Sequence, residues 1–196
     1  MKLINSARFT AVIDANVLFP IVVRDYLLWL AVYELYSPKW SDKLLSEFSK
    51  IFTKKRMKIP PERIQKQIDL MNRSCPDALV ENYDEIISCV KLDDEDDRHV
   101  VAAAIKCNAN VIVTYNLKDF PNEYLASLGL TAVHPDPFIA DMIDLSPRKC
   151  LEAFREMLLT KNKPPYEEKE YLEIIRNNGL KQTADELVKY SQIVRD

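Results

Sequence analysis

The stretch Phe9-Thr-Ala-Val-Ile-Asp14-Ala-Asn16 is a short apolar, β-branched run that stops at an acid. A second run of the same kind, Val111-Ile-Val-Thr114, is also followed by polar residues. Such runs are typical of buried strands, and in an open α/β sheet the carboxyl ends of the strands border the usual ligand crevice. We therefore expect Asp14, Asn16 and Thr114 to converge at one edge of a parallel sheet.

Helical and strand-like segments alternate along the first 144 residues, which predicts a three-layer α/β/α domain with a mainly parallel central sheet. Further strands are predicted at 35–40 (an edge strand, because it contains Pro38), 78–83 and 130–133. Helices are predicted at 26–35, 42–52 with Ser41 as N-cap, 60–72, 97–108 and 123–128.

The pattern is wholly helical after residue 144. We expect one domain at 1–144 and a small all-helical C-terminal extension at 145–196. The last helix of this extension is predicted to begin at the capping box Thr183-Ala-Asp-Glu186.

The composition excludes several function classes. Gly129 and Gly179 are the only glycines, where average usage of roughly 7% would give about a dozen more. The sequence therefore contains neither a glycine-rich phosphate loop nor a GxSxG hydrolase elbow. The chain is 47% hydrophobic and 29% charged, as in an ordinary globular protein, and its apolar runs are too short to span a membrane. Four cysteines without a CxxC pair favour reduced thiols in a cytoplasmic protein.

Four acids stand at positions where a carboxylate could do chemistry. Asp14 and Asp119 follow the two buried strands, Glu47 shares a helix face with apolar neighbours, and Asp97 begins the most strongly predicted helix. Two of them have a structural alternative: Asp14 as a turn-starting residue, and Glu47 as a solvated side chain at the edge of the apolar face. Residues 93–95 are interpreted as a solvated loop and helix cap.

If these carboxylates converge, they cannot all ionise without a counter-charge. A hard divalent cation resolves this, and oxygen-only ligands suit Mg²⁺ or Mn²⁺ better than Zn²⁺. The two histidines, His99 and His134, are too few to indicate a zinc site or a catalytic triad.

Four segments carry a resemblance to a known family: Val-Ile-Asp14-Ala-Asn16-Val-Leu, Ser41 to Glu47, Asp96-Asp97-Arg98-His99-Val-Val-Ala-Ala-Ala104, and Val-Ile-Val-Thr114-Tyr-Asn116-Leu-Lys-Asp119-Phe-Pro. Together they resemble a PIN domain, closest to the branch that contains the VapC-type ribonuclease toxins. The resemblance runs from about residue 9 to residue 144. The tail is also similar to a C-terminal extension found on some members.

The resemblance implies a metal-dependent endoribonuclease. The acids at the positions of Asp14, Glu47 and Asp97 would hold one or two Mg²⁺ or Mn²⁺ ions. Many relatives carry a fourth acid where this chain has Asn116, so Asp119 is expected to supply that charge. The remaining polar groups, Asn16, Thr114 and Asn116, would orient a carboxylate or a water molecule.

The net charge of −3 does not by itself attract RNA. A basic run between Phe48 and Pro61 can be interpreted either as a solvated helix end or as an electrostatic path for RNA phosphates. The side chains expected to contact RNA are Lys54, Lys55, Arg56 and Arg98.

Several functions remain open on the sequence. A phosphohydrolase with Asp14 as nucleophile would need a second acid at position 16, where this chain has Asn16. A non-catalytic PIN-like interaction module would be favoured by loss of the acids, which are all present. A toxin is expected to have RNA as substrate, a cognate antitoxin as partner and a homodimeric state, with no membrane association. A housekeeping RNA-processing nuclease is the alternative.

Overall fold

The computed structural model describes residues 9–55, 58–161 and 165–193. Within these ranges the strands are β1 (Thr10–Ile13), β2 (Ser37–Lys39), β3 (Val111–Val113) and β4 (Thr131–Val133). The helices are α1 (Ala15–Leu18), α2 (Ile21–Val32), α3 (Asp42–Lys54), α4 (Pro61–Ser74), α5 (Asp84–Ile87), α6 (Arg98–Lys106), α7 (Asn122–Ser127), α8 (Pro135–Leu145), α9 (Pro147–Leu159), α10 (Glu168–Asn177) and α11 (Lys181–Ile193). Short 3-10 helices lie at Glu95–Asp97 and Leu117–Asp119.

The four strands form one parallel sheet in the order β2-β1-β3-β4. Strand β1 lies between β2 and β3, and its apolar residues are buried on both faces of the sheet. Strand β2, which contains Pro38, lies at an edge. Helices cover the sheet in the α/β/α arrangement expected from the sequence. The register pairs Ile13 with Val113, so β1 and β3 end side by side.

Helix α6 packs against β1 and β3 through a face of small residues. Its residues from His99 to Ala104 are all buried, and Ala102, Ala103 and Ala104 allow the helix to approach the sheet closely. Ser41 caps the N-terminus of α3 as predicted, because its Oγ accepts a hydrogen bond from the Leu44 backbone N–H at 3.3 Å.

Two predicted elements differ in the structure. The helix predicted at 26–35 begins earlier, at Ile21, immediately after Pro20, which fits the position before a first helical turn. The strand predicted at 78–83 is reduced to a single bridge between Leu79 and Trp40. The extended backbone stops soon afterwards because Asn82 has a positive φ of 57°, which reverses the chain.

The C-terminal helices share one hydrophobic cluster with the sheet-containing part of the chain. Helix α9 packs on α2, where the Tyr26 hydroxyl donates a hydrogen bond to the Cys150 carbonyl at 3.1 Å. Helix α11 packs on α8, and α10 packs on α11. Both glycines end helices: Gly129 follows α7 with φ 71°, and Gly179 follows α10 with φ 86°.

The capping box predicted at Thr183 is wrong, because Thr183 lies inside α11. The cap comes from α8 instead: the buried Asp136 carboxylate accepts hydrogen bonds from the backbone N–H groups of Gln182 at 3.0 Å and Thr183 at 2.8 Å. The Thr183 hydroxyl also donates to the Asp136 carbonyl at 3.2 Å. A side chain 46 residues away along the chain therefore satisfies the first amides of α11.

All four cysteines are free thiols. Among the residues described, no helix combines the length and the apolar character needed to cross a bilayer.

Candidate active site

Asp14 lies directly after β1 and is only 6% exposed. Its Oδ2 accepts hydrogen bonds from Thr114 Oγ1 at 2.7 Å and from Asn16 Nδ2 at 2.6 Å. Burial raises the pKa of Asp14 above its ordinary value, and the nearby Glu47 raises it further. The hydrogen bond from Thr114 and those from the backbone of Ala15 and Asn16 lower it. Asp14 is thus a buried carboxylate held in a fixed orientation.

Thr114 and Asn16 form the support of this carboxylate. Asn16 Nδ2 also donates to Thr114 Oγ1 at 3.2 Å, and Asn16 Oδ1 accepts from the Tyr115 backbone N–H at 3.2 Å. The Thr114 hydroxyl in turn accepts from the Asn116 backbone N–H at 3.0 Å. The adjacent ends of β1 and β3 are therefore tied together through side chains as well as through the sheet.

Glu47 lies in α3 and lines the same cavity as Asp14, and its side chain is 32% exposed. Its Oε1 is 2.9 Å from Nε2 of His99, a side chain with no exposed surface. Neither ring nitrogen of His99 makes a hydrogen bond of acceptable geometry among the described residues. The buried imidazole thus lies against the inner side of Glu47.

Asp97 stands where the 3-10 helix Glu95–Asp97 passes into α6. The pKa of Asp97 is raised to about 6, mainly by burial and then by the negative charges of Asp14, Asp94 and Asp119, while His99 lowers it. The carboxyl group is therefore in a region of strong negative potential that favours a cation.

The carboxylates face one cavity of about 410 Å³. Its lining includes Asp14, Asn16, Glu47, Asp97 and Asn116, all predicted from the sequence, together with Lys54. Thr114 is fully buried beneath it. Asp119 is not part of the lining, although it is near enough for its charge to act on Asp97.

The other side chains expected to contact RNA are engaged elsewhere or not described. The Lys55 ammonium lies 4.2 Å from the centre of the Phe19 ring. Arg98 donates from Nε and Nη2 to the Leu92 carbonyl, and its Nη1 is 3.0 Å from Glu95 Oε1. Arg56 lies outside the described residues.

Sequence reasoning missed three residues at the site. Asp96 lines the cavity beside Asp97, but a run of five acids gives no signal for which of them faces inward. Lys43 also lines the cavity, and its spacing of four residues from Glu47 would have indicated this. No role at the site was expected for His99 because histidines are few, although its spacing of four residues from Ala103 places it on a buried face of α6.

The donor set fits a hard divalent cation in its chemistry. All the groups are oxygens, and the pKa values of Asp14 and Asp97 are raised mainly by burial and further by neighbouring carboxylates, whose repulsion a bound cation would relieve. In the part of the chain that the structure describes, no three His, Cys, Asp or Glu side chains form a ready-made metal cage. The residues that could hold an ion are Asp14, Glu47 and Asp97, with Asp96 and Asn116 on the same cavity wall.

Two family profiles match the chain. The profile described as a PIN domain matches residues 10–118, and that described as the VapC50 C-terminal domain matches residues 135–189. The Mycobacterium tuberculosis protein named "Putative ribonuclease VapC50" is 43% identical over 68 residues, which are 35% of this chain and 40% of the relative. The match therefore spans about two fifths of the length of that protein.

Proposed function

The chain belongs to the PIN-domain family, and from this premise we propose that it is a divalent-metal-dependent endoribonuclease that hydrolyses RNA phosphodiester bonds. One observation carries the proposal: Asp14, Glu47 and Asp97, which come from three separate elements, line one cavity. The name of the 43% identical relative, which contains the word ribonuclease, supports RNA as the substrate class.

In this proposal Asp14, Glu47 and Asp97 hold one or two Mg²⁺ or Mn²⁺ ions, and Asp119 adds negative charge from nearby. The bound metal would lower the pKa of a water molecule and neutralise charge on the phosphate during in-line displacement. Thr114 and Asn16 keep the Asp14 carboxylate oriented through their hydrogen bonds to Oδ2. Asn116 lines the same cavity, and its amide would orient a ligand or a water molecule there.

Cleavage of a fluorescent single-stranded RNA in Mg²⁺ tests the nuclease. We expect Asp14→Asn to reduce the rate by more than about 100-fold, because it removes a charge that holds the metal while keeping the shape of the side chain. Asp141→Asn, on the exposed surface of α8, is the matched control and is expected to cleave normally. Wild-type cleavage that continues in EDTA, or an Asp14→Asn variant as active as the wild type, would contradict the proposal.

We also propose that the nuclease is the toxin of a toxin–antitoxin pair, as a cytoplasmic homodimer. The match of its tail to the VapC50 C-terminal domain supports this role, and four free thiols favour a reducing compartment. Induced expression in a bacterial host is expected to arrest growth, and Asp14→Asn is expected to abolish the arrest. A housekeeping nuclease would cleave RNA in vitro without arresting growth, and a non-catalytic module would do neither.

A further inference from the structure

One face of α3 carries three lysines together with the site glutamate. Lys43, Glu47, Lys50 and Lys54 are spaced by four, three and four residues, which places them in one row along the helix. The opposite face, with Leu44, Leu45 and Phe48, is buried in the core. All four members of the row line the cavity that contains Asp14 and Asp97.

The three lysines of this row have no salt bridge with a carboxylate in the described ranges 9–55, 58–161 and 165–193. Some other cations of the described residues are paired, such as Lys161 with Asp25 and Arg176 with Asp185. The row therefore presents uncompensated positive charge along the side of the cavity, opposite a wall of carboxylates that we assign to metal binding.

Building on the proposed function, we propose that one strand of RNA lies along α3, with a phosphate on Lys43 on one side of the cleaved bond and phosphates on Lys50 and Lys54 on the other. Glu47 stands between these lysines, where the cleaved phosphate would meet the metal. From Lys43 to Lys54 the helix rises by about 16 Å, so the row is longer than a single phosphate group.

The arrangement of charge favours a single strand over a duplex. Cations line only the α3 side of the cavity, whereas Asp96 and Asp97 lie on the other side. The second strand of a duplex would bring its phosphates toward these acids, beyond those that the metal neutralises. A single strand needs only one row of cations.

Salt dependence of RNA binding tests the row separately from catalysis. For single strands, each phosphate neutralised by a cation contributes about 0.7 to the slope of log affinity against log salt concentration. In an Asp14→Asn background with Mg²⁺ and a labelled single-stranded RNA, replacing Lys43, Lys50 and Lys54 together by Gln is expected to reduce the slope by about 2. Each single replacement is expected to give about a third of that change.

The matched control replaces three exposed lysines elsewhere, Lys66, Lys106 and Lys169, by Gln, so that net charge changes equally. We expect its slope to stay close to that of the parent. A triple variant of the row that keeps the parental slope overturns the inference, as does a loss of slope that is equal in the control. A duplex of the same sequence whose slope falls by the same amount overturns the assignment to one strand.

These outcomes are distinct from failure of the proposed function. If the wild type cleaves RNA and the parent binds it, but replacing the three lysines of the row leaves the salt slope unchanged, only the inference fails. If the wild type does not cleave and the parent does not bind, the proposed function fails and the inference falls with it.

Discussion

Asp14 depends on a residue 100 positions away in the chain. Its carboxylate is buried, which is unfavourable unless hydrogen bonds compensate for lost hydration, and the Thr114 hydroxyl is the first of these compensating groups. The same hydroxyl accepts the Asn116 backbone N–H. A single oxygen atom therefore holds both the carboxylate and the loop that follows β3.

Thr114→Val is expected to preserve the fold but to reduce RNA cleavage by about 10- to 100-fold, because Asp14 loses the group that orients it. The Asn116 N–H also loses its acceptor, so we expect the free energy of unfolding to fall by about 1–3 kcal/mol. Cleavage kinetics and urea denaturation measure the two effects. Thr131→Val, on an exposed position of the edge strand β4, is the control, and equal rates for the two variants would argue against an orienting role.

The carboxyl group of Asp97 links stability to pH in the metal-free protein. Its pKa is about 6 in the folded chain against 3.8 as the ordinary value, so the folded protein binds the extra proton between about pH 4 and about pH 6. Stability is then lost as the pH rises through this window. We expect the melting temperature of the wild type, relative to Asp97→Asn, to fall over that range in EDTA.

Addition of Mg²⁺ at about pH 7 is expected to reverse this relative loss, because the cation neutralises the carboxylates that raise the pKa of Asp97. At about pH 4 the protonated site should gain little. A wild type and an Asp97→Asn variant with parallel pH profiles, or with equal stabilisation by Mg²⁺, would contradict this account.

Among the helices and strands, the features that depend on neighbouring residues could be predicted from the sequence. The β-branched runs ending at Ile13 and Val113 predict two buried strands, and their parallel register brings Asp14 and Thr114 together. The Ser41 cap was predictable because its partner is three residues away. The cap of α11 was not, because Asp136 lies 46 residues earlier and only the packing of α8 brings it close.

The orientation of charged residues was harder to predict than their presence. Glu47 could be solvated or could face the site, and its contact with buried His99 depends on how α3 meets α6. In the acid run, only Asp96 and Asp97 reach the cavity, because the 3-10 helix Glu95–Asp97 turns them toward it. No local periodicity distinguishes five successive acids.

Asp136→Ala should loosen the attachment of α11. The amides of Gln182 and Thr183 lose their acceptors, so we expect the free energy of unfolding to fall by about 1–3 kcal/mol. Asp141→Ala, an exposed position on α8, should change it by less than about 0.5 kcal/mol. Urea denaturation gives both values, and hydrogen exchange at the two amides shows whether the effect is local. Equal stability of both variants would assign the cap no energetic role.

Across the whole molecule, the helical extension is joined to the sheet by buried apolar contacts. Leu151, Phe154 and Met157 of α9 are buried in the cluster that also contains Tyr26 and Leu30 of α2. Burying three such side chains contributes about 5–9 kcal/mol, which is comparable with the total stability of about 5–15 kcal/mol of an ordinary domain. The extension is therefore important for stability whatever further role it has.

A chain that ends after Ser146 is expected to lack a cooperative thermal transition and to aggregate, because it exposes the α2 surface around Tyr26 and Leu30. Differential scanning calorimetry and size-exclusion chromatography test this against the full chain. A soluble truncated protein with the melting temperature of the full chain would show that α9–α11 are dispensable for folding.

The long separation between Asp14 and Thr114 also affects when the protein becomes active during its synthesis. Strand β1 emerges from the ribosome about a hundred residues before its neighbour β3. Until then Asp14 has neither its orienting hydroxyl nor Asp97 beside it. A partly made chain therefore carries the acids without the site, and on the proposed function it leaves intact the message from which it is being translated.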